Sequence, residues 1–200
     1  MENPFFASAW PGVATWIALY ISDYALTVKC ARLYKTGASE RLVMEGSYEL
    51  TPYYQRDIDS LRLFSPRFVV MLIYGSVLLA VVWMLSLITY PQLYTFSLGS
   101  MILIELTVHV RHLHNLVVFR ALNRSDGVRG RIEYQRTFIL HTSAADLMIF
   151  AGLYLALFGC LQNWFFLGGV ASCLQTALKH LRLVRKLPAT QVGAPDSQTT

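Results

Sequence analysis

Five long apolar runs dominate this sequence and restrict it to the few folds that a lipid bilayer permits. Each run is close to the ~20 residues that a helix needs to cross ~30 Å of hydrocarbon at about 1.5 Å per residue. A spanning segment must satisfy its own backbone hydrogen bonds, and a helix does so. The runs lie approximately at 9–28, 69–89, 93–112, 138–160 and 164–181. We therefore predict an all-α integral membrane protein, a bundle of five transmembrane helices.

Charged residues are too scarce to cover a globular surface with water-binding groups. They make up 14% of the chain and apolar residues make up 54%, whereas soluble domains average about 25% charged residues. The lipid bilayer must therefore be the solvent for much of the surface. The net charge of +5 does not indicate nucleic acid, because the basic residues flank the apolar runs and form no exposed basic face.

The positions of the basic residues predict the direction of each span. All 17 lysines and arginines fall in three stretches, seven at 29–67, six at 111–136 and four at 179–186. The N-terminal segment and the short connections at 90–92 and 161–163 contain none. With five spans, the three basic stretches share one side, which the positive-inside rule assigns to the cytoplasm. We predict an N-out, C-in protein and expect a bacterial inner membrane location.

The cytoplasmic segment between the first two runs carries one further helix signal. Thr51-Pro52 is typical of a helix start. Apolar side chains then recur at helical spacing, at Tyr54, Ile58, Leu61 and Phe64. This pattern predicts a short amphipathic helix on the cytoplasmic leaflet. We expect one bundle domain over residues 1–187 and a polar, disordered cytoplasmic tail over 188–200.

Ionisable residues inside the predicted spans are the main candidates for chemistry, because insertion of each into hydrocarbon costs ~2.5–3.5 kcal/mol. There are five, from three different helices: Asp23, Glu105, His109, His141 and Asp146. At about 1.5 Å per residue, they lie between the middle of the bilayer and its cytoplasmic side. His109 lies one turn below Glu105 on the same helix face. The pattern predicts a polar cavity open to the cytoplasm.

Four further residues are secondary candidates: Thr27, Glu49, His112 and Thr176. Thr27 and Thr176 fall in the same half of the bilayer and would line the same space. Glu49 either caps the predicted amphipathic helix or points into the mouth of the cavity. His112 is expected among the lipid headgroups beside Arg111.

Two hypotheses for the function remain open. Carboxylates with imidazoles suit a proton relay or a divalent cation, which favours a protein that binds or moves a proton or small cation. Alternatively, the charged groups pair with Lys29, Arg111 or one another and lock the helices together, as in a non-catalytic subunit or assembly protein of a larger complex. An enzyme that acts on a lipid from the cytoplasmic side ranks behind both, because the sequence contains no catalytic motif and we assign no catalytic residue.

The identity of a cofactor stays open at this stage. A divalent metal fits the candidate residues. A haem b held by His109 and His141 is disfavoured, since one histidine from each of two helices is a weak signal. Small residues offer surfaces for close helix approach and predict a homo-oligomer or a place in a membrane complex. These residues are Gly75, Ser76, Gly152, Gly159, Gly168, Gly169 and Ala171.

Overall fold

The computed structural model describes residues 8–124 and 129–187, and within them the chain is helical apart from short connections and one small strand pair. This confirms the predicted all-α class. The six helices are α1 (Ala9–Thr36), α2 (Pro52–Asp59), α3 (Pro66–Ile88), α4 (Pro91–Asn123), α5 (Arg136–Leu161) and α6 (Trp164–Lys186). The two strands are β1 (Leu42–Met44) and β2 (Ile132–Tyr134). The tail predicted to be disordered lies outside the described residues.

Three of these helices, α3, α4 and α5, are long and apolar enough to cross a membrane. Only 11% of the most apolar part of α3 is buried inside the protein, so most of its apolar surface needs lipid or another apolar partner. The other two predicted spans, α1 and α6, have 28 and 23 residues. Both are less apolar than α3, α4 and α5, because α1 contains Asp23 and α6 ends in the basic segment Lys179–Lys186. The structure therefore supports three of the five predicted spans.

The two short connections between apolar runs are tight hairpins, as the sequence predicted. Thr89 and Tyr90 alone separate α3 from α4, and Gln162 and Asn163 separate α5 from α6. Gln162 adopts a left-handed conformation with φ 50°, which ends α5. The Asn163 side chain then accepts a hydrogen bond from the backbone N–H of Phe165 and starts α6.

Three helices continue well beyond the predicted spans. α1 ends at Thr36, α4 at Asn123 and α6 at Lys186, whereas the apolar runs end at 28, 112 and 181. The predicted limits marked the part of each helix that spans the hydrocarbon, and the helices themselves continue further. Lysine and arginine are good helix formers and are favoured at helix C-termini, so the helices extend into the basic segments.

α1 and α4 pack side by side and run in the same direction. At one end, the Tyr94 hydroxyl donates to the Ala9 carbonyl at 3.2 Å. At the other end, the Asn123 amide donates to the Leu33 carbonyl at 3.1 Å. These two contacts fix the relative height of the helices along their whole length, and that register decides which polar side chains meet.

α6 packs against the opposite side of α4, and here the two backbones approach closely. A Cβ on Gly168 would lie 2.0 Å from the Phe96 carbonyl oxygen, and one on Gly99 would lie 1.9 Å from the Phe165 carbonyl oxygen. Gly168 was predicted to serve such a contact, whereas Gly99 was not. Two other predicted glycines, Gly152 and Gly159 on α5, face open space.

A small parallel strand pair, which the sequence did not predict, ties together the two longest connections. β1 pairs with β2 in the register Leu42 to Ile132 and Met44 to Tyr134. Beyond β2, the Arg136 backbone N–H donates to the Glu45 carboxylate at 2.8 Å. The pair therefore holds the segment after β1 over the adjacent ends of α1 and α4.

The amphipathic helix is present as α2, but it is shorter than predicted. Ile58 is buried against Val28 and Ala31 of α1. The helix ends at Asp59, and Leu61 adopts a positive φ of 52°. Phe64, predicted on the apolar face, is therefore carried away from α1 and is 72% exposed.

Candidate metal centre between α1 and α4

Three of the five predicted site residues meet where α1 packs against α4. Asp23, Glu105 and His109 each offer one ligating atom, and these atoms lie within 4.8 Å of one another. Glu105 and His109 are four residues apart on α4, so both side chains point to the same side of that helix. The parallel register of the two helices brings Asp23 to the same height.

One oxygen of Asp23 has no hydrogen-bond donor. Oδ1 is buried and has no hydrogen bond to any described residue. Its nearest basic atom is Nε2 of His112 at 3.4 Å, in a geometry that makes no hydrogen bond. An unsatisfied buried acceptor costs about 1–3 kcal/mol, and more when it is charged. A proton or a metal cation on this oxygen would remove that cost.

Lysine and arginine do not neutralise the two carboxylates. Within the described part of the chain, no ion pair of 4.0 Å or less joins Asp23 or Glu105 to either residue type. Arg111, which we considered as a partner, lies 3.5 Å from Asp146 instead. Lys29 is exposed. The interface thus brings together two carboxylates with no lysine or arginine in direct contact with either of them.

The hydrogen bonds of His109 prepare its ring for a ligating role. Nδ1 lies 2.7 Å from the carbonyl oxygen of Glu105, which only accepts, so Nδ1 carries the proton. Nε2 lies 2.6 Å from the hydroxyl oxygen of Ser22, and that hydroxyl is also placed to donate to the Leu19 carbonyl at 2.9 Å. With the proton on Nδ1, Nε2 accepts from the Ser22 hydroxyl, so its lone pair reaches a cation only when Ser22 turns away and donates to Leu19 alone. Metal-binding histidines are commonly oriented by such a backbone hydrogen bond.

A second layer of polar groups surrounds His112, and here one expectation was wrong. His112 was expected among lipid headgroups, but its side chain is only 13% exposed. Its Nε2 lies 2.9 Å from the Thr27 hydroxyl and its Nδ1 lies 3.3 Å from the Tyr48 hydroxyl. The Asn115 amide donates to the same Tyr48 hydroxyl at 3.2 Å. Tyr48, in the connection after β1, therefore packs on α4 beside His112 and Asn115.

Glu49 lies directly before α2 and is buried beside the α1–α4 interface. Its carboxylate accepts a hydrogen bond from the backbone N–H of Thr51 at 2.7 Å, directly before α2. Burial raises the pKa of Glu49, while the hydrogen bonds from Thr51 and the positive charges of Arg111 and Arg136 oppose that rise. The residue therefore joins the electrostatic surroundings of the α1–α4 interface as well as starting α2.

The remaining predicted site residues are not part of this cluster. His141 and Asp146 are exposed on α5, a helix that packs mainly on α6 and has little contact with α1. The Thr176 hydroxyl donates to the Ser172 carbonyl in its own helix at 2.9 Å. The structure therefore does not bring His141 and Asp146 together with Asp23, Glu105 and His109.

One buried histidine was not among the predicted residues. His180 is 5% exposed, and its Nδ1 lies 2.9 Å from the Ser143 hydroxyl of α5. A signal for it exists in the sequence, since Cys173, Ala177 and His180 recur at helical spacing and all three are buried. Tyr48 and Ser22 were also missed, and they lack any such pattern because tertiary contacts alone bring them to the site.

Comparisons with protein families, with curated proteins and with solved structures find no match to this chain. The fold and the site therefore define the class by themselves. The chain is an all-helical protein with three helices suited to a membrane, and a carboxylate and histidine cluster lies between two of its parallel helices.

Proposed function

We propose that this chain is a multi-pass membrane protein that binds a divalent metal cation between α1 and α4. The protein ligands are Asp23, Glu105 and His109. The observation that carries the proposal is the meeting of their three ligating atoms within 4.8 Å, beside a buried carboxylate oxygen that lacks a donor. A divalent cation would satisfy that oxygen and balance both carboxylate charges.

The donor set indicates which cations to test. A metal that binds nitrogen and oxygen at about 2.0–2.2 Å holds its ligand atoms roughly 3–4 Å apart, so small side-chain rotations close the cluster around one ion. Carboxylates suit Mg²⁺, Ca²⁺ and Mn²⁺, whereas imidazole suits Zn²⁺ and Fe²⁺. Because the set is mixed, Zn²⁺ and Mn²⁺ are the appropriate first probes.

We further infer that five helices cross the membrane, with the N-terminus outside and the C-terminus in the cytoplasm. α1 and α6 would be about 42 and 35 Å long at 1.5 Å per residue, more than the ~30 Å hydrocarbon layer. α6 runs parallel to α4, because Gly168 meets Phe96 and Cys173 meets Thr107 further along both helices. α1 is parallel to α4 as well.

The other two helices run in the opposite direction. Phe68 of α3 stacks on Tyr20, and Gly75, further along α3, packs against Trp16, nearer the start of α1. Ser143 and His180 join the start of α5 to the end of α6. This alternation supports five crossings, and it gathers the basic segments at one end of the bundle.

One observation favours a second function, assembly with other membrane helices. Gly152 and Gly159 on α5 have open space in front of them, and because they are seven residues apart they lie on the same face of the helix. Small residues on an outer face are typical of helix–helix association in lipid. A homo-oligomer or a subunit of a larger complex would cover this face.

The metal content of the purified protein tests the first proposal. We expect about one Zn²⁺ or Mn²⁺ per chain after loading and removal of free metal, and its loss in Asp23→Asn and His109→Ala. Asp146→Asn is the matched control, since it makes the same chemical change outside the cluster and should retain the metal. Equal metal content in wild type and Asp23→Asn would refute the proposal.

A further inference from the structure

Three arginines surround a small cavity where α2 connects to α3. The cavity has a volume of about 220 Å³ and is lined by Arg56, Asp57, Arg62, Pro66 and Arg67. The side chains of Arg62 and Arg67 are 54% and 40% exposed, so their guanidinium groups are accessible from outside. This cavity is separate from the metal ligands and serves no step of the proposed function.

A buried carboxylate holds two of the arginines in place. Asp57 is 5% exposed, and its oxygens lie 3.6 Å from Arg62 and 3.7 Å from Arg67. The Ser65 hydroxyl donates to the same carboxylate at 2.6 Å. Three arginines facing one aspartate leave a net charge of +2. The cavity is therefore a positively charged site whose guanidinium groups are already oriented.

Arg67 is further fixed by Tyr53 of α2. Its guanidinium lies 5.6 Å from the centre of the Tyr53 ring and donates to the Tyr53 carbonyl at 3.2 Å. Arginine is well suited to phosphate, because its planar group offers two parallel N–H donors to two oxygens. A guanidinium that is held in position loses less freedom when it binds such an anion.

The position of the cavity in the fold indicates where that phosphate comes from. Arg67 is the second residue of α3, a helix suited to cross the membrane, so the cavity lies where the apolar part of α3 begins. Beside it, Leu63 and Phe64 are 74% and 72% exposed. Two large apolar side chains next to arginines are typical of a segment that dips into the headgroup layer.

We propose that this cavity binds the phosphate group of an anionic phospholipid, with Arg62 and Arg67 as its principal donors, Arg56 as a third, and Leu63 and Phe64 against the acyl chains. The same guanidinium groups fit a free phosphate ester, but a soluble ligand without acyl chains would make no contact with the two apolar side chains. The site is independent of the cation site, so either proposal stands without the other.

The test measures lipid binding by the full chain purified in detergent. Fluorescent phosphatidylglycerol is the probe, phosphatidylcholine is the zwitterionic comparison, and glycerol 3-phosphate is the soluble competitor. We expect preferential binding of phosphatidylglycerol, and about tenfold weaker binding in Arg56→Gln and in Arg62→Gln, since a hydrogen bond to a charged group contributes roughly 1.5–3 kcal/mol. Arg32→Gln, an exposed residue of α1, is the control with the same loss of charge and should bind as wild type does.

Two further variants separate the lipid from a soluble ligand and from misfolding. Leu63→Ser with Phe64→Ser should weaken phosphatidylglycerol binding and leave glycerol 3-phosphate unaffected. Arg56 is exposed and has no part in the Asp57 ion pairs, so its variant decides the matter if Arg62→Gln does not fold. An equal loss in Arg32→Gln would overturn the proposal, because charge alone would then explain binding. Competition by glycerol 3-phosphate at the affinity of the lipid would overturn the lipid assignment.

Discussion

The two sides of α4 are held to their neighbours in opposite ways. Towards α6, Gly99 and Gly168 bring the backbones into direct contact, and the surrounding side chains are mostly aliphatic or small. Towards α1, the middle of α4 presents Glu105, His109 and His112 to polar groups. The first interface satisfies its polar groups, for example through Ser100, which donates to the Gly168 carbonyl at 3.0 Å. The second leaves a buried carboxylate oxygen without a donor.

The side of α4 that faces α6 therefore serves packing, and the side that faces α1 carries the candidate chemistry. Close van der Waals packing between glycine-containing helices stabilises a bundle in lipid, where helices gain no hydrophobic free energy from meeting each other. Two buried carboxylates without a contacting lysine or arginine destabilise the bundle, because they cost free energy until a proton or cation binds. Mutations on the α6 side should therefore change stability, and those on the α1 side should change metal binding.

The largest effect is expected from Gly168→Leu. Its Cβ would lie 2.0 Å from the Phe96 carbonyl oxygen, and a backbone atom has no rotamer that relieves the overlap. Overpacking of this kind costs about 3 kcal/mol, which should appear in the free energy of unfolding in detergent. Gly152→Leu is the control, because nothing lies within 4 Å of its Cβ position. Similar stabilities for the two variants would contradict the close α4–α6 contact.

Asp23→Asn should separate metal binding from folding. With Zn²⁺ at about 100 times its dissociation constant, the wild type should gain about 2.7 kcal/mol of stability, whereas the variant should gain none. Without metal the variant should be at least as stable as the wild type, because the amide removes an unbalanced buried charge. The measurement is thermal unfolding with and without Zn²⁺. A clear loss of stability in the metal-free variant would instead favour a structural role for Asp23.

Tyr154→Phe tests the satisfied polar contact near the α6 side. The Tyr154 hydroxyl lies 3.0 Å from the Thr107 hydroxyl and 3.1 Å from the Leu103 carbonyl. Loss of these hydrogen bonds should lower stability by about 1 kcal/mol and leave the metal content unchanged. Tyr90→Phe, in the exposed hairpin, should change neither quantity. A fall in the metal content of Tyr154→Phe would show that the two sides of α4 are not independent.

The smallest effect concerns the pH dependence contributed by Glu49. Burial raises its pKa above the ordinary value of 4.5. Between the ordinary pKa of the unfolded carboxyl and the higher pKa of the folded one, the unfolded carboxyl releases its proton while the folded one keeps it. Stability therefore falls as pH rises through this range. Glu49→Gln should remove this contribution, because glutamine does not titrate and still accepts from Thr51. The check is the difference in stability between wild type and variant from pH 4 upward, and a constant difference would show that burial does not perturb Glu49.

Several parts of the fold could be predicted because they depend on local patterns. Hydrophobic length predicts the helices, Thr51-Pro52 predicts the start of α2, and the short connections predict the two hairpins. The ends of α1, α4 and α6 were not predicted, since hydropathy reports the solvent around a helix and not its backbone hydrogen bonds. The β1–β2 pair has no local signal, because each strand has three residues and forms only with a partner far along the chain.

The candidate site was predictable in part for the same reason. Depth along each helix selected Asp23, Glu105 and His109 correctly as neighbours, and it selected Asp146 and His141 by the same rule. Depth does not fix the rotation of a helix or its partner. α5 packs on α6 and turns Asp146 and His141 outward, so equal depth did not bring these residues together with the others.

The sequence by itself indicated a membrane environment, the number of long helices, and the presence of costly ionisable groups within them. These properties follow from composition and from distances along one chain segment. Only the tertiary structure decided that α1 lies parallel to α4 at a height that joins Asp23 to Glu105 and His109. That register depends on contacts at both ends of the helix pair, Tyr94 with Ala9 and Asn123 with Leu33, between residues far apart in sequence. Only the folded chain brings them together.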